Sequence, residues 1–334
     1  MTYINKKIIL KSRPTGRPDD SNFTYLEEEI APLEDGQLLI KVDLLGIDAF
    51  IRTTLDEGGF HQGAEIGGVI PALGIGQVVE SKAEGFAEGD YVFGPMCSQS
   101  YAVMPSFTMR KLDTSIAPAS AFLGALGLTT GMTAYFGIVD VGRVKPGDTV
   151  VVSGAAGAVG SMAGQIARLS GASKVIGIAG GPHKTRFLVD ELKFDAAIDY
   201  KNENVGARLD ELAPDGINVF FDNVGGEILD DVLMRIVLGS RIVICGAISQ
   251  YEKMTEVRGP KNYLKLAERR SSIEGFAVFH FAAHYPRAES QLADWLRSGD
   301  LVMREQIEHG VENFPAVLNM LMTGGHHGKL LLKV

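Results

Sequence analysis

The most constraining feature of this chain is a run near its middle, Asp148-Thr149-Val150-Val151-Val152-Ser153-Gly154-Ala155-Ala156-Gly157-Ala158-Val159-Gly160. The β-branched residues predict a buried strand and the glycines a tight turn, after which Val159, Met162, Ile166 and Leu169 recur at helical spacing. A helix that starts from such a turn presents free backbone N–H groups and the positive end of its dipole, which suits an anion. Gly157 lets a phosphate approach the backbone, and Gly160 lets the helix pack closely on the strand. The dinucleotide pattern G-x-G-x-x-G reads here as Ala155-x-Gly157-x-x-Gly160, with alanine in the first position. A small-residue helix packed on a buried strand would look the same, so the neighbouring segments decide.

An NAD site carries an acidic side chain about twenty residues beyond the turn, on the ribose 2′-hydroxyl. The second apolar strand, Lys174-Val175-Ile176-Gly177-Ile178, ends instead in Ala179-Gly180-Gly181 and is followed by His183, Lys184 and Arg186. NADP is therefore favoured. A carboxylate there would repel a 2′-phosphate, whereas small residues leave room and a nearby cation compensates its charge. Lys184 is the stronger candidate, because Arg186 reads equally well as decoration of a solvated helix.

With 334 residues and 46% hydrophobic content, the chain is long enough for two domains. Its net charge of −9, with no run of lysine and arginine, argues against a nucleic-acid partner. Cys97 and Cys245 are the only cysteines, too few for a disulfide framework and in keeping with a reducing compartment. Near the N-terminus only Ile8-Ile9-Leu10 is apolar, and no apolar run approaches membrane-spanning length. A cytoplasmic protein with no cleaved leader and no membrane partner is expected.

Residues 1–120 are β-like and turn-rich, with extended runs at Gln37–Asp43 and Ile75–Glu80 and a turn at Glu88-Gly89-Asp90. Beyond 121, helix and strand alternate. A helix is expected near Ala117–Phe136, with strands at 149–153, 174–179, Ala196–Tyr200, Ile217–Asp222 and Arg241–Cys245, and a further strand near Ser272–Phe276. Continuous apolar strands imply a parallel sheet covered on both faces, so the class is α/β with a doubly wound domain. The run Lys329–Val334 has no place in that sheet and is expected to return to the first domain. The resulting division is 1–120 plus 300–334 against 121–299.

Several segments then occur in a telling order: Leu126-Gly127-Leu128-Thr129-Thr130-Gly131-Met132-Thr133-Ala134-Tyr135-Phe136-Gly137, Gly157-Ala158-Val159-Gly160-Ser161, Phe221-Asp222-Asn223-Val224-Gly225-Gly226 and Cys245-Gly246-Ala247-Ile248-Ser249-Gln250-Tyr251. Together they resemble the zinc-independent branch of the medium-chain dehydrogenase/reductase superfamily, and within it the prostaglandin reductase and alkenal (enone) double-bond reductase family. The resemblance covers nearly the whole chain. It implies a GroES-like β-rich catalytic domain, a Rossmann cofactor domain, a homodimer, and NADPH-dependent reduction of a carbon–carbon double bond conjugated to a carbonyl. Hydride goes to the β-carbon, and the resulting enolate is protonated at the α-carbon.

By the same resemblance, Gly157, Ala158, Val159 and Gly160 hold the pyrophosphate, and Lys184 and Tyr200 lie near the adenosine 2′-phosphate. Asn223 and the segment Cys245, Gly246, Ala247, Ile248, Ser249, Gln250 and Tyr251 follow the ribose and nicotinamide. Phe276, Ala277 and Val278 line a further strand end. Tyr251 matches a tyrosine that holds the enolate oxygen or relays a proton. A phenol is a neutral donor that stabilises developing oxyanion charge, and its alternative reading is an aromatic wall.

Three positions depart from the family pattern. Asp48-Ala49-Phe50-Ile51-Arg52 has Phe50 where relatives carry tyrosine, so no hydroxyl is donated there. His326, two residues before Gly328-Lys329, stands where relatives carry asparagine and is assigned to the cofactor by position. Thr130-Gly131 replaces Pro-Gly. A catalytic zinc needs three protein ligands and a structural lobe four cysteines, and neither set is present. Gly46-Ile47-Asp48 lacks the first cysteine, His61 with Glu65 reads as a loop pair, and His280 and His284 read as pocket lining or dimer surface. No metal is expected, which favours conjugate reduction over alcohol oxidation. The neighbouring NADPH quinone reductases and a non-catalytic NADPH-binding protein remain the alternatives.

Overall fold

The computed structural model describes residues 3–57 and 61–334, so residues 1–2 and 58–60 of the expected β-rich domain lie outside the described residues. Its strands are, in chain order, β1 (Ile4–Leu10), β2 (Phe23–Glu29), β3 (Gln37–Gly46), β4 (Gly74–Ser81), β5 (Tyr91–Gly94), β6 (Tyr101–Pro105), β7 (Arg110–Lys111) and β8 (Thr149–Ser153). They continue as β9 (Lys174–Ala179), β10 (Ala196–Asp199), β11 (Ile217–Asp222), β12 (Ile236–Ile244), β13 (Ser272–Gly275), β14 (Glu305–His309) and β15 (Lys329–Lys333). The chain divides into two compact units, Met1–Leu123 with Glu305–Val334, and Gly124–Arg304.

In the first unit, a sheet runs β14-β15-β3-β4-β5-β7, with β6 also on β3, beside a separate β1–β2 ladder. The long strand β3 carries its core on Leu38, Ile40, Val42 and Leu45. It pairs with β6 over Gln37–Lys41 and with β15 over Leu44–Gly46, so one strand edge serves two partners in turn. Register shifts against β4, at Leu39/Ile40 and Val42/Leu44, give it the extra twist that bulges supply.

In the second unit, six parallel strands run β10-β9-β8-β11-β12-β13. Val150, Val151, Val152, Ile176, Ile178, Val219, Phe220 and Phe221 are all buried, as expected for a parallel sheet covered on both faces. Strand order reverses at β8, the place where open α/β sheets leave a crevice beyond their carboxyl ends. β10 stops at Asp199 and β13 at Gly275, which leaves Tyr200 and Phe276 just past the sheet edge.

Two expectations are corrected. In place of one helix over Ala117–Phe136, a short 3₁₀ turn at Ala119–Phe122 is followed by a separate helical run that begins at Leu128 and continues through Phe136 to Val141. The cause is a backbone fold-back. The Gly131 N–H reaches the Gly124 carbonyl at 3.2 Å, and a β-carbon on Gly131 would lie 1.7 Å from the Ala125 oxygen. β12 begins at Ile236 rather than Arg241, because Ile236 already pairs with Ile217 before the register shifts around Gly239, at φ +79°.

Candidate functional site

At the end of β8 the chain turns through Gly154, whose φ of +58° only glycine adopts freely. The left-handed residue therefore stands one place ahead of Ala155, which the G-x-G-x-x-G alignment could not register. Gly157 caps the helix Ala158–Leu169 without a side-chain cap, and no acid sits in its first turn. No side chain thus caps the first-turn N–H groups at the positive dipole end, an arrangement suited to a pyrophosphate. A β-carbon on Gly160 would lie 2.4 Å from the Gly154 carbonyl and 2.8 Å from the Ala155 Cα, so this glycine permits the close helix–turn contact. Ala158 and Val159 open the helix between Gly157 and Gly160.

At the end of β9, Gly181 takes φ +96° and donates its N–H to Asp199 Oδ1 at 2.7 Å. Asp199 also accepts from Lys201 N at 3.1 Å and Asn202 Nδ2 at 2.7 Å. Burial opposes its ionisation, and these hydrogen bonds outweigh that, holding the carboxyl below the usual range. Its negative charge is thus taken up by two backbone N–H groups, the Asn202 amide and Lys201. Tyr200 is exposed, and its ring and the Lys201 side chain lie 2.9 Å from where a β-carbon on Gly180 would sit. Lys184 is half-buried on the helix Pro182–Arg186, and its ammonium is pulled below its ordinary value by burial first and by Lys201 second. Lys184 and Lys201 thus repel one another here, a repulsion that a bound phosphate would relieve.

At the ends of β11 and β12 the remaining predicted residues gather. Asn223 donates through Nδ2 to the Ser153 carbonyl at 2.7 Å and accepts at its own carbonyl from Ile248 N at 3.1 Å. Cys245 and Gly246 donate their N–H groups to the Asp222 carbonyl at 2.9 and 3.1 Å. Ser249 Oγ donates to the Val224 carbonyl at 2.6 Å, and the Gln250 amide exchanges two hydrogen bonds with the Arg258 backbone. The side chains of Ser249 and Gln250 therefore brace the loop. Tyr251 Oη accepts from Ala247 N at 3.2 Å and has no acceptor for its own proton among the described residues. Burial raises the Tyr251 phenol, with Cys245 and Asp222 adding to it against the Ala247 hydrogen bond. Phe276 packs edge-on against Phe281, centroids 6.1 Å apart. The Ala277 N–H donates to His280 Nδ1 at 3.3 Å, and the Val278 carbonyl accepts from Tyr285 Oη at 3.3 Å.

The other predicted residues belong to the first unit. His326 is buried just before β15. Phe50 opens the short helix Phe50–Thr54, its ring 5.4 Å from that of His61. His61 shares a 2.7 Å hydrogen bond with Thr53 Oγ1, and its imidazole is lowered by burial, whereas Glu65 is exposed. Asp48 meets the fully buried Lys329 at 2.6 Å.

The domain family described as the N-terminal domain of oxidoreductases matches residues 6–112, and that described as zinc-binding dehydrogenase matches residues 158–297. The Bacillus subtilis protein YfmJ is 40% identical over all of this chain and 99% of its own length. The tobacco (Nicotiana tabacum) NADP(+)-dependent 2-alkenal reductase is 35% identical over 99% of this chain and 97% of its own. Among solved structures, CurA from Vibrio vulnificus in complex with NADPH superposes with a TM-score of 0.92 at 33% identity, over 98% of this chain and 99% of that one.

The chain belongs to the prostaglandin reductase and alkenal double-bond reductase family of medium-chain dehydrogenases/reductases.

For this reductase, the described residues include no group of three His, Cys, Asp or Glu side chains that could hold a metal ion. Sequence patterns missed four residues that shape the reductase's cofactor unit: Gly154, Asp199, Lys201 and Asp222. Gly154 was visible as a glycine one place out of phase. Asp222 stood inside the Phe221–Gly226 segment without a role of its own, and Asp199 and Lys201 were hidden because an aspartate at a strand end or a lysine in a loop carries no periodic signal.

Proposed function

We propose that this chain reduces the carbon–carbon double bond of α,β-unsaturated ketones or aldehydes, with NADPH as the cofactor. What supports this reading most directly is the Tyr251 phenol, which accepts from Ala247 N–H and keeps its own proton without an acceptor among the described residues. It lies past the carboxyl end of a parallel strand, in a chain from the family of the 2-alkenal reductase. Bound NADPH supplies the hydride that adds to the β-carbon. Gly157 to Gly160 hold the pyrophosphate through backbone N–H groups, and Lys184 with Tyr200 take the 2′-phosphate. Asn223 and the Cys245–Tyr251 loop flank the nicotinamide, with Phe276, Ala277 and Val278 at the next strand end and His326 as a further cofactor contact. Tyr251 donates to the enolate oxygen as charge develops, and so lowers the barrier without itself being a strong acid.

The unit built from both chain ends is the catalytic domain in this reading, and Gly124–Arg304 is the NADP-binding domain. The reaction runs without zinc: Asp48, the position without the zinc branch's first cysteine, is already matched by the Lys329 ammonium. The chain works in a reducing, cytoplasmic setting, in keeping with two free cysteines. It pairs as a homodimer through β13, an edge strand whose residues are all exposed, with Ile273 on it and Leu238 on the adjoining β12 offering apolar surface. Sedimentation of wild type and Ile273→Glu tests this, and a monomeric wild type would end the idea.

The deciding experiment follows oxidation of NADPH and of NADH against enals, cyclic and aryl enones, and quinones, with product identified by mass. Fast NADPH-selective turnover to saturated carbonyl products is expected. Activity confined to quinones, or tight NADPH binding with no turnover of any acceptor, would overturn the reading.

A further inference from the structure

The proposed function leaves one buried group without a part. Asp222, the last residue of β11, has no exposed surface, and burial pushes its carboxyl above the usual carboxylate range against the hydrogen bonds it accepts. Its Oδ1 accepts from Ser153 Oγ at 2.7 Å and from the N–H groups of Val224 and Gly225 at 3.0 Å each. Its Oδ2 is buried with no partner among the described residues. One oxygen is saturated and the other orphaned, an imbalance that a purely structural acceptor would not need.

The hydrogen bonds run outward from this carboxyl to the end of the site. Ser153 Oγ, while donating to Asp222, accepts from Asn223 N at 2.8 Å. The Asn223 and Val224 carbonyls then accept from Ile248 N at 3.1 Å and Ser249 N at 3.3 Å. The same short loop ends where Ala247 N–H reaches the Tyr251 phenol at 3.2 Å. The carboxyl is also close enough to be felt electrostatically: burial first and Asp222 second push the Cys245 thiol up to about 12.

Resting on the proposed function's assignment of the nicotinamide end, we infer that Asp222 is a positioning residue that holds Asn223 and the Ala247–Tyr251 loop in their working geometry. It touches neither substrate nor cofactor. It acts by fixing the turn from which both flanks of the nicotinamide are hung. A displacement of that turn by about 1 Å is enough to cost on the order of a hundredfold in rate when a reacting group is carried with it.

The test uses Asp222→Ala, Asp222→Asn and Ser153→Ala in the full chain. It reads kcat with an enone, the fluorescence emission of bound NADPH, the affinity for 2′-phospho-ADP-ribose, which lacks the nicotinamide, and the melting temperature. Asp222→Ala is expected to lower kcat by about tenfold to a hundredfold and to alter NADPH emission, with affinity for the fragment unchanged. Asp222→Asn keeps an acceptor oxygen for all three donors and is expected to restore most of kcat. Ser153→Ala removes one link and is expected to lower kcat by a few-fold with fragment affinity intact, which keeps the test alive if Asp222→Ala does not fold. Unchanged kcat and emission in Asp222→Ala or Ser153→Ala would overturn the inference, as would equal weakening of NADPH and of the fragment together with a fall in melting temperature. If wild type reduces no enone, the proposed function fails on its own, while NADPH emission and fragment affinity still decide the role of Asp222.

Discussion

At the scale of single residues, the proposed chemistry turns on where the Tyr251 proton sits. Tyr251 accepts a backbone hydrogen bond and so directs its own O–H elsewhere. Tyr251→Phe removes that donor and leaves the ring, so kcat with an enone should fall by roughly tenfold to a thousandfold while NADPH affinity stays within about twofold. Stopped-flow turnover and a fluorescence titration would show it, and unchanged turnover would leave Tyr251 as an aromatic wall. Burial raises this phenol above the ordinary tyrosine value of 10.0. In the proposed role the protonated form is the working one, so activity should persist as pH rises through that value and be lost only above it. A pH profile of kcat with a Tyr251-dependent limb below it would contradict the assignment. Lys184 poses the complementary case, a cation depressed by burial and by Lys201. Lys184→Ala should weaken NADPH by about tenfold or more and barely change NADH, because only one of them carries the 2′-phosphate. Equal effects on the two cofactors would remove Lys184 from that site.

At the scale of elements, the glycine-rich turn shows what a pattern carries and what it omits. Continuous apolar runs marked β8, β9 and β11 to within a residue, because a strand buried on both faces can contain little else. The expected helix over Ala117–Phe136 failed, since the fold-back of Gly131 onto the Ala125 carbonyl is a matter of backbone proximity, which periodicity does not encode. Gly160 is legible in both ways, as a motif position and as a contact too tight for a side chain. Gly160→Ala would force a methyl group to within 2.4 Å of the Gly154 carbonyl. We expect a loss of about 1–3 kcal/mol in stability, measured by denaturant unfolding, together with weaker NADPH binding as the helix N-terminus is pushed off the turn. Wild-type stability in this variant would mean that the helix shifts without cost.

At the scale of the whole molecule, the chain's two ends are sewn into one unit. Lys329 on β15 is fully buried and meets Asp48 at 2.6 Å across 281 residues of sequence. Asp48→Ala would leave the Lys329 ammonium facing its site without that carboxylate, at a cost of about 3–5 kcal/mol. Thermal and denaturant unfolding would report it, and a loss below about 1 kcal/mol would show that the pair is dispensable.

The sequence by itself determined the family, the parallel sheet and the glycine-rich turn, because each rests on local spacing: apolar runs, glycines at fixed offsets, and short segments in a fixed order. It also named the loop Cys245–Tyr251. Tertiary structure alone decided how that loop is held, for the Asp222 carboxyl, Ser153 and Asn223 meet only when β8 and β11 lie side by side, some 69 residues apart along the chain. It alone decided that the Asp199 carboxylate is taken up by its own loop and by Lys201, and that Lys201 and burial together depress Lys184. Hydrogen bonds and charges between residues distant in sequence leave no periodic trace, and folding is what brings them within reach.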